Sequence, residues 1–146
     1  ALAVEYFSEK YGGIGGSGGP VVLMGHSSGA HVSMLAAMRG RLPVVDALIA
    51  GSGVYDVERQ QQQEKRMGVN EISPMSAANG FSKESFCRYS PQFLSDDLPA
   101  NFPPTLLVHG EDDDVTPLEN SREFHRTLED KSTDIGRKKG LLGSFM

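Results

Sequence analysis

Short apolar runs alternate with helical patterns in the first half of the chain. Residues 21–24 form a fully apolar run, which is typical of a strand that is buried on both faces of a parallel sheet. Residues 28–39 follow with the Ala-, Met- and Leu-rich composition of a helix, which Gly40 closes. Residues 44–50 are a second strand candidate. This alternation indicates an α/β architecture with a parallel sheet.

The second half begins with a looser pattern and then returns to the same alternation. Residues 57–103 contain a polar helical segment with four successive glutamines and then a loop-rich stretch, and we interpret them as a cap-like insertion. Residues 105–108 are the third apolar strand. The sequence TPLE at 116–119 predicts a sharp helix start, because threonine caps, proline suits the first turn and glutamate completes a capping box. We therefore expect three parallel strands flanked by helices.

A glycine-rich segment precedes the first strand. Six of the eight residues at 12–19 are glycine, and they contain the pattern G-x-G-x-x-G. That pattern binds a dinucleotide phosphate when a strand precedes it and a helix follows, and here the order is reversed. We interpret the segment as a flexible connection. Because no grouping of His, Cys and carboxylate residues has the spacing of metal ligands, we expect neither a cofactor nor a metal.

Composition narrows the range of partners and compartments. The 146 residues suffice for one compact domain, and the net charge of −5 argues against nucleic acid as a partner. The basic cluster at 137–139 is interpreted as a solvated end. Cys87 is the only cysteine, which excludes an internal disulfide and favours a reducing, cytoplasmic location. No apolar run approaches the ~18–20 residues of a transmembrane helix, so no membrane span is expected.

The sequence Gly-His-Ser-Ser-Gly at 25–29 joins the first strand to the first long helix. A turn sharp enough to lift one side chain above the sheet crowds its neighbours, so small residues are expected on both sides of Ser27, at Gly25 and Gly29. This arrangement is a nucleophile elbow. Backbone N–H groups at a helix N-terminus favour negative charge, and the N–H of Ser28 is the predicted oxyanion donor. The alternative is a glycine-bordered turn with an incidental serine.

Three motifs, GHSSGAH, SGVYD and PPTLLVHGEDDDVTP, resemble those of α/β-hydrolase fold serine esterases. The nearest relatives in type are small carboxylesterases such as prenylcysteine methylesterase and kynurenine formamidase. The resemblance implies a partial α/β-hydrolase domain over residues 1–135, with the cap-like insertion at about 57–103 and a divergent tail at 136–146. It also implies a small-molecule carboxylic ester as the substrate.

The third motif of that family reads H-G-x-x-D-x-x-V/T-P, and its aspartate orients the catalytic histidine. Matched residue by residue, this acid falls on Asp113, while Asp112 and Asp114 are expected to face solvent. Asp113 also follows an apolar strand, at the sheet edge where α/β proteins place their ligands, and it comes after Ser27 as the order Ser-Asp-His requires. Asp56, just past the second strand, is the competing acid because some relatives use that location.

The base of the expected triad has no evident counterpart. The sequence contains four histidines, and we interpret all of them as structural: His26, His31, His109 and His125. In the family the base follows about 30 residues after the acid, where this chain has GRKKGLLGSFM without a histidine. The resemblance therefore implies that the full-length protein supplies the histidine. The alternatives are a catalytically silent binding module and a truncated product with no function of its own.

The first strand is central in the sheet of the resembling family. Because the earlier strands of that sheet have no counterpart in this sequence, one apolar edge of the first strand is expected to be unpaired. Unpaired apolar edges invite association with other chains. We therefore expect self-association through this edge.

Overall fold

The computed structural model describes residues 2–11, 20–42, 45–94 and 98–139. Its sheet has three strands, β1 (Val22–His26), β2 (Ala47–Gly51) and β3 (Thr105–Val108), in the order β1-β2-β3. Both pairs of neighbouring strands are parallel. The prediction of three parallel strands flanked by helices is confirmed. The glycine-rich segment at 12–19 and the end of the chain at 140–146 lie outside the described residues.

Helices connect the strands and follow the last of them. They are α1 (Leu2–Tyr11), α2 (Ser28–Met38), α3 (Val57–Met67), α4 (Met75–Asn79), α5 (Lys83–Tyr89) and α6 (Leu118–Lys139), with a 3-10 turn at Pro91–Phe93. The helix α2 ends one residue before its predicted end. The helix α6 continues through residues 136–139, the first part of the divergent tail, and the boundary at residue 135 stays a prediction. No helix in the described ranges is long and apolar enough to cross a membrane.

The insertion at 57–103 is more helical than expected. It contains α3, α4 and α5, where the sequence predicted one helix and a loop-rich stretch. The helix α5 begins with a reciprocal cap, because the Ser82 hydroxyl accepts from the Ser85 amide at 3.1 Å and the Ser85 hydroxyl accepts from the Ser82 amide at 3.2 Å. The side chain of Phe86, which belongs to this helix, is buried. A local cap and one buried aromatic thus define a helix of only two turns.

One face of the sheet carries the core. The helix α2 packs on β1 and β2, and its Met34 is fully buried with Leu48 of β2. Phe124 of α6 stacks on Tyr55, which follows β2, with ring centroids 4.3 Å apart. Fully burying a side chain of this size contributes about 1.5–3 kcal/mol. The core therefore fixes α2 and α6, which flank the site, against the sheet.

The other face of the sheet is apolar and open among the described residues. Met24 of β1 is 69% exposed and Leu106 of β3 is 57% exposed. Both residues are in register with Ile49 of β2, the central strand. Within the described ranges, β1 pairs with β2 alone. The edge that we expected to be unpaired is therefore open there, and self-association through it stays a prediction.

Candidate active site

Ser27 lies at the junction between β1 and α2 in a strained backbone conformation. Its φ is 52°, a value that a residue other than glycine rarely adopts. Its amide donates to the carbonyl of Gly51 at 2.9 Å, and its own carbonyl accepts from the His31 amide at 3.1 Å. Strain of this kind is found mostly at functional sites, where the surrounding structure fixes it. The serine therefore has the geometry expected of a nucleophile elbow.

The two glycines of the elbow have different surroundings. A Cβ at Gly25 would lie 2.6 Å from the carbonyl carbon and oxygen of Gly29 and 2.7 Å from the amide nitrogen of Ala30. Only glycine therefore allows α2 to approach β1 this closely. A Cβ at Gly29 would meet no atom within 4 Å. Our expectation of crowding holds at Gly25 and is wrong at Gly29, because the outer side of the turn is open.

The N-terminus of α2 is left available for a negative charge. The Ser27 hydroxyl makes no capping hydrogen bond to the helix, and no acidic residue lies in the first turn. Ser28, the first helical residue, is exposed. The first N–H groups of a helix have no partner within the helix, and the macrodipole favours an anion beside them. This arrangement can stabilise an oxyanion that forms next to Ser27.

Asp113 lies in the loop between β3 and α6, and several donors hold its carboxylate. Oδ1 accepts from the amides of Val115 at 3.0 Å and Thr116 at 2.9 Å. Oδ2 lies 3.4 Å from Nε2 of His109. Burial raises the pKa of Asp113, but these donors outweigh burial and hold the pKa below its ordinary value of 3.8. Asp113 is therefore a fixed carboxylate anion at neutral pH.

The other candidate acids have different surroundings. Asp112 and Asp114 are exposed, as predicted. Asp56 caps α3, since its Oδ1 accepts from the Arg59 amide at 3.1 Å, and its Oδ2 lies 3.8 Å from the guanidinium of the same residue. Backbone amides thus hold both carboxylates, Asp56 in a helix cap and Asp113 in its loop. The choice of Asp113 over Asp56 stays a prediction.

His109 is a buried structural histidine behind the acid. Its side chain is 3% exposed. Nε2 lies 2.8 Å from the carbonyl oxygen of Thr116, which can only accept, so Nε2 carries the proton. Nδ1 lies 2.6 Å from the Ser121 hydroxyl and accepts from it in the neutral ring. Both ring nitrogens are thus in use, and His109 is not placed to take a proton from Ser27.

The three remaining histidines lie in different surroundings from His109. His31 is buried on α2, with Nε2 2.8 Å from the carbonyl oxygen of Tyr89, and its pKa is lowered chiefly by burial. His125 lies on α6 with Nδ1 3.4 Å from Glu129. His26 is exposed at the end of β1. No hydrogen bond joins any of these three rings to the Ser27 hydroxyl among the described residues.

Ser52 is a site residue that the sequence analysis missed. It follows β2 with a φ of 43°, and Ser27 is the other non-glycine residue with positive φ among the described ranges. Its amide donates to the carbonyl of Val108 at the end of β3, at 2.8 Å. The available signal was the sequence Gly-Ser-Gly at the end of the second strand, beside the elbow. The ends of β1, β2 and β3 thus bring Ser27, Ser52 and Asp113 to one edge of the sheet.

An open cleft of about 510 Å³ lies on the side of the acid loop. Asp113 and Asp114 line it together with Arg66 and Arg122, and Ser27 is not among its lining residues. A cleft for the substrate would have to include the nucleophile, so this cleft is not evidence of a substrate pocket. Across the described part of the chain, no group of three or more His, Cys, Asp and Glu side chains could hold a metal ion.

Comparisons with known proteins place these features in a family. The profile of the prolyl oligopeptidase family matches residues 3–138. A curated relative, the probable isoprenylcysteine alpha-carbonyl methylesterase of Oryza sativa subsp. japonica, is 27% identical over an alignment of 141 residues. The match covers 86% of this chain and 34% of the relative. The chain thus spans about a third of the length of that relative.

Solved structures share the fold at low sequence identity. An acylaminoacyl peptidase of Pyrococcus horikoshii superposes with a TM-score of 0.67 at 19% identity, over 88% of this chain and 20% of that one. An esterase of Pyrococcus furiosus superposes with a TM-score of 0.52 at 16% identity, over 86% of this chain and 45% of that one. The expected resemblance to α/β-hydrolase fold serine hydrolases is confirmed.

Proposed function

Because this chain belongs to the prolyl oligopeptidase family, we propose that it carries the nucleophile and the acid of a serine hydrolase that acts on carboxylic esters. The observation that carries the proposal is the positive φ of Ser27 at a strand-to-helix turn. In this proposal Ser27 is the nucleophile, the N–H of Ser28 holds the oxyanion, and Asp113 orients the base. The base is a histidine from another segment of the whole protein.

The proposed reaction has two steps. The Ser27 hydroxyl oxygen attacks the acyl carbon and gives its proton to the histidine, while the carbonyl oxygen becomes an oxyanion beside the N-terminus of α2. Collapse of this intermediate releases the alcohol, which takes the proton, and water then hydrolyses the acyl-serine by the same route. Asp113 remains ionised throughout and stabilises the imidazolium. The donors that lower the pKa of Asp113 support this role.

Two observations bear on the bond that is cleaved. The curated relative is named a methylesterase, which supports an ester. The family is that of prolyl oligopeptidase, and one similar structure is an acylaminoacyl peptidase. Hydrolysis of a peptide bond is therefore the second candidate activity. Both activities use the same nucleophile and acid and differ in the leaving group, an alcohol or an amine.

A fluorophosphonate probe tests whether Ser27 is activated. The probe labels a serine only when its hydroxyl is nucleophilic, so we expect labelling of the whole protein, which includes the base, and none of its Ser27→Ala variant. Ser33→Ala, which removes a hydroxyl from the same helix, is the matched control and should label normally. Equal labelling of Ser27→Ala and the native protein would refute the assignment of the nucleophile. Absence of labelling above a heat-denatured sample would favour a catalytically silent binding module.

A matched pair of chromogenic substrates tests the leaving group. A p-nitrophenyl ester and a p-nitroanilide of the same acyl group release products of similar size and differ in the bond that is cleaved. We expect hydrolysis of the ester to be faster. If the anilide is hydrolysed as fast as the ester, the peptidase candidate replaces the esterase candidate.

A further inference from the structure

Two of the four successive glutamines on α3 contact the acid loop, which joins β3 to α6. Nε2 of Gln60 donates to the carbonyl of Val115 at 3.0 Å, and Nε2 of Gln63 donates to the carbonyl of Asp114 at 2.7 Å. Residues that are three apart in a helix lie on the same face. One face of α3 therefore holds two successive carbonyls of the acid loop.

These two carbonyls belong to the peptide groups that hold the carboxylate of Asp113. The carbonyl of Asp114 and the N–H of Val115 form one peptide group, and the carbonyl of Val115 and the N–H of Thr116 form the next. The two N–H groups donate to Oδ1 of Asp113 at 3.0 Å and 2.9 Å. Because a peptide group is planar, a glutamine that fixes its carbonyl also fixes the direction of its N–H. The helix α3 thus determines where the carboxylate is held.

The glutamines also strengthen the hydrogen bonds that reach the carboxylate. Hydrogen bonds in a chain polarise one another, so a peptide group that accepts at its oxygen donates more strongly at its nitrogen. Gln60 is 4% exposed, which shelters its contact from competing water. Hydrogen bonds to a carboxylate favour its charged form. Two neutral side chains therefore support the anion without bringing a charge to the site.

Contacts at the start of α3 fix this helix relative to the acid loop. The carboxylate of Asp56 caps α3, since Oδ1 accepts from the Arg59 amide at 3.1 Å. The guanidinium of Arg59 donates to Oε2 of Glu123 on α6 at 2.6 Å. Because α6 directly follows the acid loop, this ion pair ties α3 to the far end of the same loop. The glutamines therefore extend from a helix that is itself held in place.

We propose that Gln60 and Gln63 are positioning residues, which fix the carboxylate of Asp113 through two peptide groups of the acid loop. The proposal rests on the proposed function, in which Asp113 orients a histidine. Both N–H groups of the loop bind Oδ1, which leaves lone pairs of Oδ2 for the N–H of that histidine. Because α3 begins the insertion that we interpret as a cap, the same contacts join the cap to the acid.

The test is a ¹³C NMR titration of the Asp113 carboxyl in the whole protein and in its Gln60→Met, Gln63→Met and double variants. Methionine has a side chain of similar length and no N–H donor, so each substitution removes one hydrogen bond to the loop. We expect the pKa of Asp113 to rise toward its ordinary value of 3.8 in each single variant, and further in the double variant. The amide hydrogens of Val115 and Thr116 should exchange about fivefold faster in the double variant, the change expected for a typical hydrogen bond. Gln63 is only half-buried, so Gln63→Met keeps the test decisive if Gln60→Met fails to fold.

Gln61→Met and Gln62→Met are the matched controls on the same helix. Gln61 donates to the Ser76 hydroxyl of α4 at 3.2 Å, and Gln62 is exposed. An Asp113 pKa that is unchanged in the double variant would overturn the proposal, as would an equal shift in the two controls. The charged and titratable groups around Asp113 are the same in all variants, and they are His109, Arg66, Glu111, Asp114, Glu119 and Arg122.

The titration needs no turnover, so the two proposals fail separately. A raised pKa of Asp113 in Gln63→Met, without probe labelling of Ser27 in the whole protein, supports the positioning contacts and refutes the serine hydrolase. Probe labelling of Ser27 with an unshifted Asp113 in the double variant supports the hydrolase and refutes the role of the two glutamines.

Discussion

The elbow and the acid loop lie at the same edge of the sheet, but different forces hold them. Ser27 is placed by its backbone, with a φ of 52°, and its hydroxyl makes no capping hydrogen bond. Asp113 is placed by its side chain, through hydrogen bonds from the amides of Val115 and Thr116. A nucleophile must be free to approach a carbonyl carbon, whereas the acid must keep one orientation. The contrast therefore matches the two roles that we propose.

Replacing Gly25 is expected to have the largest effect, because it would break the backbone geometry of the elbow. The added Cβ of Gly25→Ala would lie 2.6 Å from backbone atoms of Gly29, and backbone cannot move aside as a flexible side chain can. Overpacking costs typically 1–3 kcal/mol and occasionally more, and we expect a loss of about 3 kcal/mol or more. Urea denaturation monitored by circular dichroism measures it.

Gly29→Ala is the matched control for this variant. A Cβ there meets no atom within 4 Å, and Gly29 lies in the first turn of α2. Alanine is favoured over glycine in a helix by up to about 1 kcal/mol, so this variant should be neutral or more stable. Equal destabilisation by both alanines would mean that the close approach of β1 and α2 is not what requires glycine.

Truncating the Asp113 side chain tests how the acid loop is held. Asp113→Ala removes the acceptor of the Val115 and Thr116 amides, and a typical intramolecular hydrogen bond contributes about 0.5–1.5 kcal/mol net. We expect a loss of about 1 kcal/mol in the free energy of unfolding, because the exposed Val115 amide can bond to water instead. Asp114→Ala is the control, because its side chain is exposed and its backbone carbonyl, which accepts from Gln63, is retained. A loss in Asp114→Ala as large as in Asp113→Ala would contradict this account.

The sequence was informative where one local constraint decides the structure. An apolar run, a glycine-bordered serine and a helical pattern sufficed to predict the elbow, since a sharp strand-to-helix turn needs small residues. The pattern could not say which glycine is crowded, because Gly25 contacts the backbone of α2 while Gly29 faces open space. The hydrophobic pattern shows that a helix follows the strand directly, but the distance between β1 and α2 depends on how the two elements pack.

Other features depend on contacts between distant segments or on very short elements. The position of Ser52 depends on its hydrogen bond to Val108 at the end of β3, and local pattern does not reveal that β2 and β3 are neighbours. The helix α4 has five residues and α5 has seven, too few for a clear helical period. The second strand begins at Ala47, three residues later than predicted, because apolar character alone does not show where pairing with β1 starts.

The pH range in which stability declines is expected to differ between the elbow helix α2 and the acid loop. His31 on the elbow helix has a pKa below its ordinary value of 6.5, and Asp113 has a pKa below 3.8. Below pH 6.5 the unfolded chain protonates His31 more readily than the folded protein does, so the free energy of unfolding should fall as the pH drops toward the lowered pKa. The contribution of Asp113 is present above pH 3.8 and should be lost as the pH falls further.

Urea denaturation between pH 7 and pH 3 measures both ranges. His31→Gln should flatten the decline that begins below pH 6.5, and Asp113→Asn should flatten the decline that begins below pH 3.8. Each variant should leave the other range unchanged, because the two groups belong to separate contacts. If His31→Gln keeps the native slope between pH 6.5 and pH 5, burial of this histidine is not the source of the decline.

The smallest effect is expected where the strain of the elbow is relieved. Glycine adopts a positive φ without the steric cost that Ser27 bears, so Ser27→Gly should stabilise the fold by about 0.5–1 kcal/mol, while it abolishes probe labelling. Ser28→Gly, one residue later in ordinary helical geometry, should instead destabilise it by about 0.5 kcal/mol. A gain of stability in Ser27→Gly together with a loss in Ser28→Gly would show that the serine backbone is strained at position 27 and not at position 28. A loss of stability in both variants would mean that the conformation at position 27 carries no strain.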